Sequence, residues 1–429
     1  MSGPRLPLEL LGLIVEHLPD RACLQNCALA ASVFVHACQK RLHNQLSFTT
    51  SSDKDDAREA SQAMPELQPV YTYVEAGRHL AATPHLARYV LRVNILLASE
   101  EGDDPADAEE LVTAIFKGLM RVTRCALFGA DGIMWGTVSS AVRSSLLEWL
   151  LAQATLVQIM LSRIAELSKA ALLVLLISSP TFHVIEVSLS VDPEPGTESA
   201  EEEAEWIRRV NEREWQLIIR ELRIAYASSA EDVLQQSEFT EHLNQLHMLE
   251  TRATPMNLST LCYPSAATLT MLQLNCVWLT DAAPVALPAR LPQLRALQLT
   301  IGLYHLYRPT NNPSVAPQSQ VLPRLLRAVA ADEACPKLSE ITLVVLLGPQ
   351  SALPLAPLSD DIMHPLDDAL QALTSLSMLR WLPVAGAFED RRHEAVVSFE
   401  QVVLRGLPHM AKTGKIVVQD SSYEPRLIL

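Results

Sequence analysis

Four sulfur and nitrogen donors near the start of the chain, Cys23, Cys27, His36 and Cys38, have the residue types of a zinc site. Their spacing points elsewhere. Cys23 and Cys27 stand one helical turn apart, whereas zinc knuckles carry closely paired cysteines on a loop, so buried thiols in an apolar run are the simpler expectation. The stretch from Gly406 to Lys415 comes nearest to a phosphate loop, but His409 takes the place of the needed glycine and Ile416 that of Ser or Thr. No G-x-S-x-G, H-E-x-x-H or G-x-G-x-x-G string occurs. His242 and His247 are five apart and do not share a helix face. Asp360-Asp361 and Asp367-Asp368 fall in loop or helix-start contexts, where solvation or the helix dipole is reason enough for them. No catalytic residue, metal ligand or cofactor is expected, and the chain is not expected to be an enzyme.

Composition narrows the remaining classes. With 34 Lys and Arg against 49 Asp and Glu, the net charge of −15 makes a nucleic-acid groove or an anionic membrane surface work against the mean field, and neither partner is expected. The seven cysteines sit in apolar runs without a disulfide framework. The longest apolar run, Ala170 to Ile177, is far short of a membrane span, and no cationic leader opens the chain. A cytoplasmic or nuclear protein is expected.

The elements with the clearest borders are at the start. Pro7 suits a first helical position, and Leu10, Leu11, Ile14, Val15 and Leu18 recur at three- and four-residue steps. Leu18-Pro19 ends that helix. Asp20 is the expected N-cap of a second helix with a stripe of Leu24, Cys27, Ala28 and Ala31, and Ser32 that of a third carrying Phe34, Val35 and Leu42. Three helices in about 40 residues cannot bury all of these side chains against one another. The surplus faces either the larger domain downstream, as a cap, or another protein.

Leu6-Pro7-x-Glu9-Leu10, Ile14-Val15, Leu18-Pro19-Asp20, Leu24 and Cys27-Ala28-Leu29 follow the order and spacing of an F-box. The exit, Lys40-Arg41-Leu42 and Leu46-Ser47-Phe48, resembles that of the F-box-like proteins abundant in mushroom-forming fungi. The resemblance implies a helical motif that binds a Skp-type adaptor and through it a cullin–RING ubiquitin ligase, while the rest of the chain presents a client protein. Carried over by position, the adaptor-facing residues are Leu6, Pro7, Leu10, Ile14, Leu24, Cys27 and Phe34. Phe34 stands where the family usually has Trp, and Ala30 and Ser32 replace larger aliphatic and basic residues.

Downstream, the form apolar-x-x-apolar-x-apolar recurs from Val122, Leu156, Phe182, Leu243, Leu269, Leu294, Leu338 and Leu379, with a less regular candidate at Arg88–Val93. Its last two apolar positions lie two apart and point inward from a strand. Helical stretches lie between copies, such as 140–152 and 322–331, so neighbouring units stack to bury a shared core. This resembles a leucine-rich-repeat solenoid with uneven steps, the longest being from Phe182 to Leu243. An ordinary α/β domain whose strands share the string is the alternative.

The expected fold is thus α/β: a three-helix F-box at 1–48, a linker at 49–62, and an irregular leucine-rich-repeat-like domain with one parallel sheet at 63–420, then a tail at 421–429. Asp192 to Glu205 forms an acidic, solvated insertion near 190–205, followed by a helix whose apolar side takes in Trp206, Ile207, Val210, Leu217, Ile218 and Leu222. The function expected is a non-catalytic substrate receptor of an SCF-type ubiquitin ligase. The alternative is an interaction scaffold whose leading helices only cap the solenoid.

Overall fold

The computed structural model describes residues 7–51, 53, 55, 58, 69–99, 108–190, 198–212, 218–251, 258, 261–277, 287–306, 321–331, 334–347, 355, 357–384 and 391–419. The chain divides into two compact units, Met1–Leu217 and Ile218–Leu429.

In the first unit, helices α1 (Leu8–Glu16), α2 (Arg21–Ala30) and α3 (Ser32–Leu42) run into strand β1 (Gln45–Thr49). There follow β2 (Val70–Thr72), α4 (Tyr73–Ala82), α5 (Pro84–Ala87), β3 (Arg92–Leu97), α6 (Ala108–Gly118) and β4 (Arg124–Met134). The unit closes with α7 (Ser140–Ala152), β5 (Gln158–Ala165), α8 (Lys169–Ile177), β6 (Thr181–Ile185) and α9 (Glu198–Asn211). The strand order is β2-β1-β3-β4-β5-β6, and every pairing is parallel. Parallel strands need crossover connections, which the helices supply. The run Ala170 to Ile177 becomes α8, buried on all sides, with the Ser168 hydroxyl accepting from the Ala171 N–H at 3.1 Å.

The second unit contains β7 (Glu221–Ala225), α10 (Ser228–Leu234), α11 (Ser237–Leu243), β8 (Met248–Thr251), β9 (Met271–Asn275) and β10 (Ala296–Gly302). Then come α12 (Val321–Ala330), β11 (Glu340–Leu346), α13 (Asp360–Gln371), β12 (Met378–Val384), α14 (Arg392–Gly406), α15 (Pro408–Lys412) and β13 (Ile416–Val418). Its seven strands pair in chain order, again parallel.

Register stacks the inward side chains in rows. Val93, Cys125, Ile159 and Phe182 form one row of the first unit, and Ile95, Leu127, Leu161 and Val184 the next, all buried. In the second unit Leu222, Leu249, Leu272, Leu297, Ile341 and Leu379 align likewise. Each such side chain contributes roughly 1.5–3 kcal/mol of transfer free energy. The entry to several strands repeats a device: one backbone carbonyl accepts two N–H groups at the start of the next strand. Leu91 accepts from Thr123 and Arg124, His247 from Thr270 and Met271, Thr270 from Arg295 and Ala296, and Ser339 from Ser377 and Met378. The hydroxyls of Thr123, Thr270 and Ser377 donate to the same carbonyls.

Three expected strand frames are shifted by three residues. Phe182 and Val184, Leu249 and Thr251, and Leu379 and Trp381 occupy the inward positions, not the expected pairs beginning at Ile185, Leu246 and Leu382; the observed pair comes three residues earlier in the first and last strands and three later in the middle one. Apolar residues at three-residue intervals let the string start in either frame, and only pairing with a neighbour chooses. A further copy, Ile219-x-x-Leu222-x-Ile224, is the missing member of the long step after Phe182. Leu222 is therefore a strand residue, not part of the helix expected from Trp206. That helix, α9, ends at Asn211 and begins at Glu198, so the second half of the acidic insertion is helical; 192–197 lies outside the described residues. The expected boundary at 48 falls inside β1, which sits between β2 and β3. Most of the 49–62 linker and all of the 421–429 tail lie outside the described residues. Among the described residues no helix is long and apolar enough to cross a membrane.

Candidate docking surface

The leading helices are set by local signals. Pro7 is the N-cap of α1, so the helix begins one residue later than expected, and the Pro7 carbonyl accepts from the Leu10 and Leu11 N–H groups. The Asp20 carboxylate caps α2 by accepting from the Cys23 N–H at 2.7 Å, and this bond holds its pKa below the usual carboxylate value. Ala31, in an extended conformation, separates α2 from α3, so Ser32 is the first helical residue and not the cap. The Arg41 guanidinium donates to the Val15 carbonyl and ties the end of α3 to α1.

These helices close on a small core of Val15, Leu24 and Cys38, flanked by Leu18, Cys27, Ala28, Phe34, Ala37 and Leu42. The expected adaptor-facing residues separate accordingly. Leu6 lies outside the described residues, and Pro7 is exposed. Leu24 is buried, while Cys27 and Phe34 are half-buried against the same core. Leu10 and Ile14, at 44% and 43% exposure, face solvent together with Leu13 at 51%. The other side of α1 is apolar too: Leu11 and Val15 are both 2% exposed. A helix with one apolar face buried and a second bare is unlike an ordinary surface helix, whose outer face is polar. Leu29, at 85%, and Val33 add exposed apolar side chains around the α2–α3 junction. Leu13 and Val33 lie outside the recognised motif positions, and Leu29, though part of the Cys27-Ala28-Leu29 string, was not among the positions carried over as adaptor-facing; for Leu13 the signal was the run Leu10-Leu11-x-Leu13-Ile14, apolar on too many sides for one face.

Candidate chemistry is dispersed. His36 Nδ1 lies 2.9 Å from the Tyr89 hydroxyl, away from the core that holds Cys27 and Cys38. Burial and a hydrogen bond with Cys27 raise the Cys38 pKa, and burial pushes Cys125, Cys262 and Cys276 up to about 12, so these thiols stay protonated and poorly nucleophilic. Among the described residues no three His, Cys, Asp or Glu side chains come together in a metal-binding arrangement. His242 lies in the last turn of α11, whereas His247 precedes β8 and donates its N–H to the Arg220 carbonyl. Asp360 and Asp361 open α13, but Asp367 lies inside it and is buried. Its carboxylate accepts from the His409 and Met410 N–H groups at 2.9 and 3.0 Å, and its Oδ2 lies 2.9 Å from His409 Nδ1, so it holds the start of α15 in place.

On the sheet of the second unit, register sets Arg223, Glu250, Gln273, Gln298, Thr342 and Arg380 side by side, on the side opposite the buried row. Arg223 pairs with Glu250 and Arg380 with Glu340, each at 3.3 Å. Thr342 is buried and the other five are half-buried, so this is a partly covered polar row with charges largely matched within it. Neither a known protein-family model nor a curated protein matches the chain.

Proposed function

We propose that the chain is a non-catalytic substrate receptor of an SCF-type ubiquitin ligase. In this reading the leading helices bind a Skp-type adaptor, and the strand–helix units form an irregular leucine-rich-repeat-like solenoid that presents an as yet undefined client protein to the cullin–RING ligase. The observation that carries it is the bare ridge of Leu10, Leu13 and Ile14 on a helix whose opposite face is already buried. The polar row from Arg223 to Arg380 is a suitable client surface, because scattered hydrogen-bonding side chains on a rigid sheet give specificity without a catalytic centre.

A pulldown of the full chain with purified adaptor tests it. A Leu10→Asp, Ile14→Asp variant should lose retention while keeping its thermal midpoint, since both side chains face water in the free protein. Undiminished retention would overturn the assignment.

A second reading, an interaction scaffold whose helices only cap the solenoid, is favoured by a contact from this motif to the chain entering the sheet. His36 of α3 meets the Tyr89 hydroxyl just before β3, a tie made from within residues 1–42. Removing residues 1–42, which spares β1, should then lower the thermal midpoint sharply, and no adaptor should be retained by the full chain.

A further inference from the structure

Between the helical motif and the first strands lies a cavity of about 330 Å³, bounded by residues from α2, α3, β1 and α4. Its polar lining has an unusual charge for a protein of net charge −15: Arg21, Arg41, His43 and His79 line it, with Asp20 as the one carboxylate among the described residues. Asp20 is committed to the N-terminus of α2 through the Cys23 N–H. Three rings form one wall. Tyr71 stacks on His79 at 6.2 Å with 8° between planes, and His79 stacks on His43 at 6.2 Å with 27°. Leu24, Leu46, Leu80 and Leu86 supply apolar lining. A space of this volume, lined by both apolar side chains and several cationic groups, has the make-up of a small-ligand site.

We propose that this cavity binds a small organic phosphate, its phosphate meeting Arg21 and Arg41 and its apolar body lying against the leucines and the ring wall. Guanidinium groups match phosphate oxygens in charge and geometry. The histidines add a proton linkage. His43 is held below its ordinary pKa by burial first, then by the positive fields of His79, Arg21 and His85. A dianion among these groups opposes those fields, so its binding draws a proton onto His43. The inference does not depend on whether the leading helices hold an adaptor.

Phenyl phosphate and inorganic phosphate are the probes, titrated into the full chain by calorimetry with sulfate at matched ionic strength as control. Phenyl phosphate should bind saturably and more tightly than inorganic phosphate, and Arg21→Gln should weaken it about tenfold. Arg21 is exposed, so this variant keeps the fold; Arg41→Gln also removes the bond to Val15 and is read only alongside an unchanged thermal midpoint. In NMR titrations the His43 ring pKa should rise when phenyl phosphate is added. No saturable binding, affinity unchanged in Arg21→Gln, or an unmoved His43 titration would each overturn the proposal.

Discussion

Glu231 is a carboxylic acid placed where its charge is costly. It lies in the short helix α10 at 2% exposure, beside the fully buried Ala230 and Leu234. Among the described residues its Oε2 has no hydrogen-bond partner. Burial, and then the field of neighbouring Asp232, raise its pKa from 4.5 to about 7. The fold therefore prefers the protonated, neutral side chain. Between these two values the native state binds more protons than the unfolded chain, so stability falls as pH rises through that window and levels off above it. A shift of this size corresponds to about 3 kcal/mol, or about 2 kcal/mol after allowance for solvent screening. Glu231→Gln has nearly the same shape and no charge to bury. Its stability relative to the parent should therefore grow by about 2 kcal/mol between about pH 5 and about pH 8. Urea unfolding of both proteins, followed by circular dichroism and tryptophan fluorescence, gives the difference at each pH and cancels the titration of all other groups. A difference that does not change with pH would refute the reasoning. So would a variant less stable than the parent at the higher pH, because the ionised carboxylate would then have a partner that glutamine cannot replace.

Two other stability predictions rest on close geometry. Asp367→Ala removes the acceptor of the His409 and Met410 N–H groups, which should cost about 3 kcal/mol and speed amide exchange at the start of α15, readable by hydrogen-exchange mass spectrometry. In β4, a Cβ at Gly129 would stand 1.9 Å from the Arg163 carbonyl oxygen and 2.7 Å from Ile133, so Gly129→Ala must displace the main chain of β5. It should lower stability by about 2 kcal/mol or more, with the thermal midpoint as the readout, and a silent substitution would contradict the packing of these strands.

Some of this protein was written in local sequence. The borders of α7, the Asp20 cap and the break at Leu18-Pro19 follow from capping chemistry, proline sterics and helical periodicity, all properties of neighbouring residues. The inward leucines from Leu269 to Leu343 were legible for the same reason, since a strand alternates its faces wherever it sits. Other features required the sheet. The strings at Phe182, Leu243 and Leu379 accept either of two frames, and hydrogen bonding to adjacent strands selected one. Leu24 and Leu10 are equally apolar in sequence, yet one closes the core with Val15 and Cys38 while the other faces water. Asp367 looked like one of a solvated pair until the fold brought α15 onto its carboxylate, and the ring wall of Tyr71, His79 and His43 joins residues from separate elements. Apolar periodicity determines which residues seek burial; which of them find it, and which polar groups meet, depends on contacts between distant segments that only the folded chain creates.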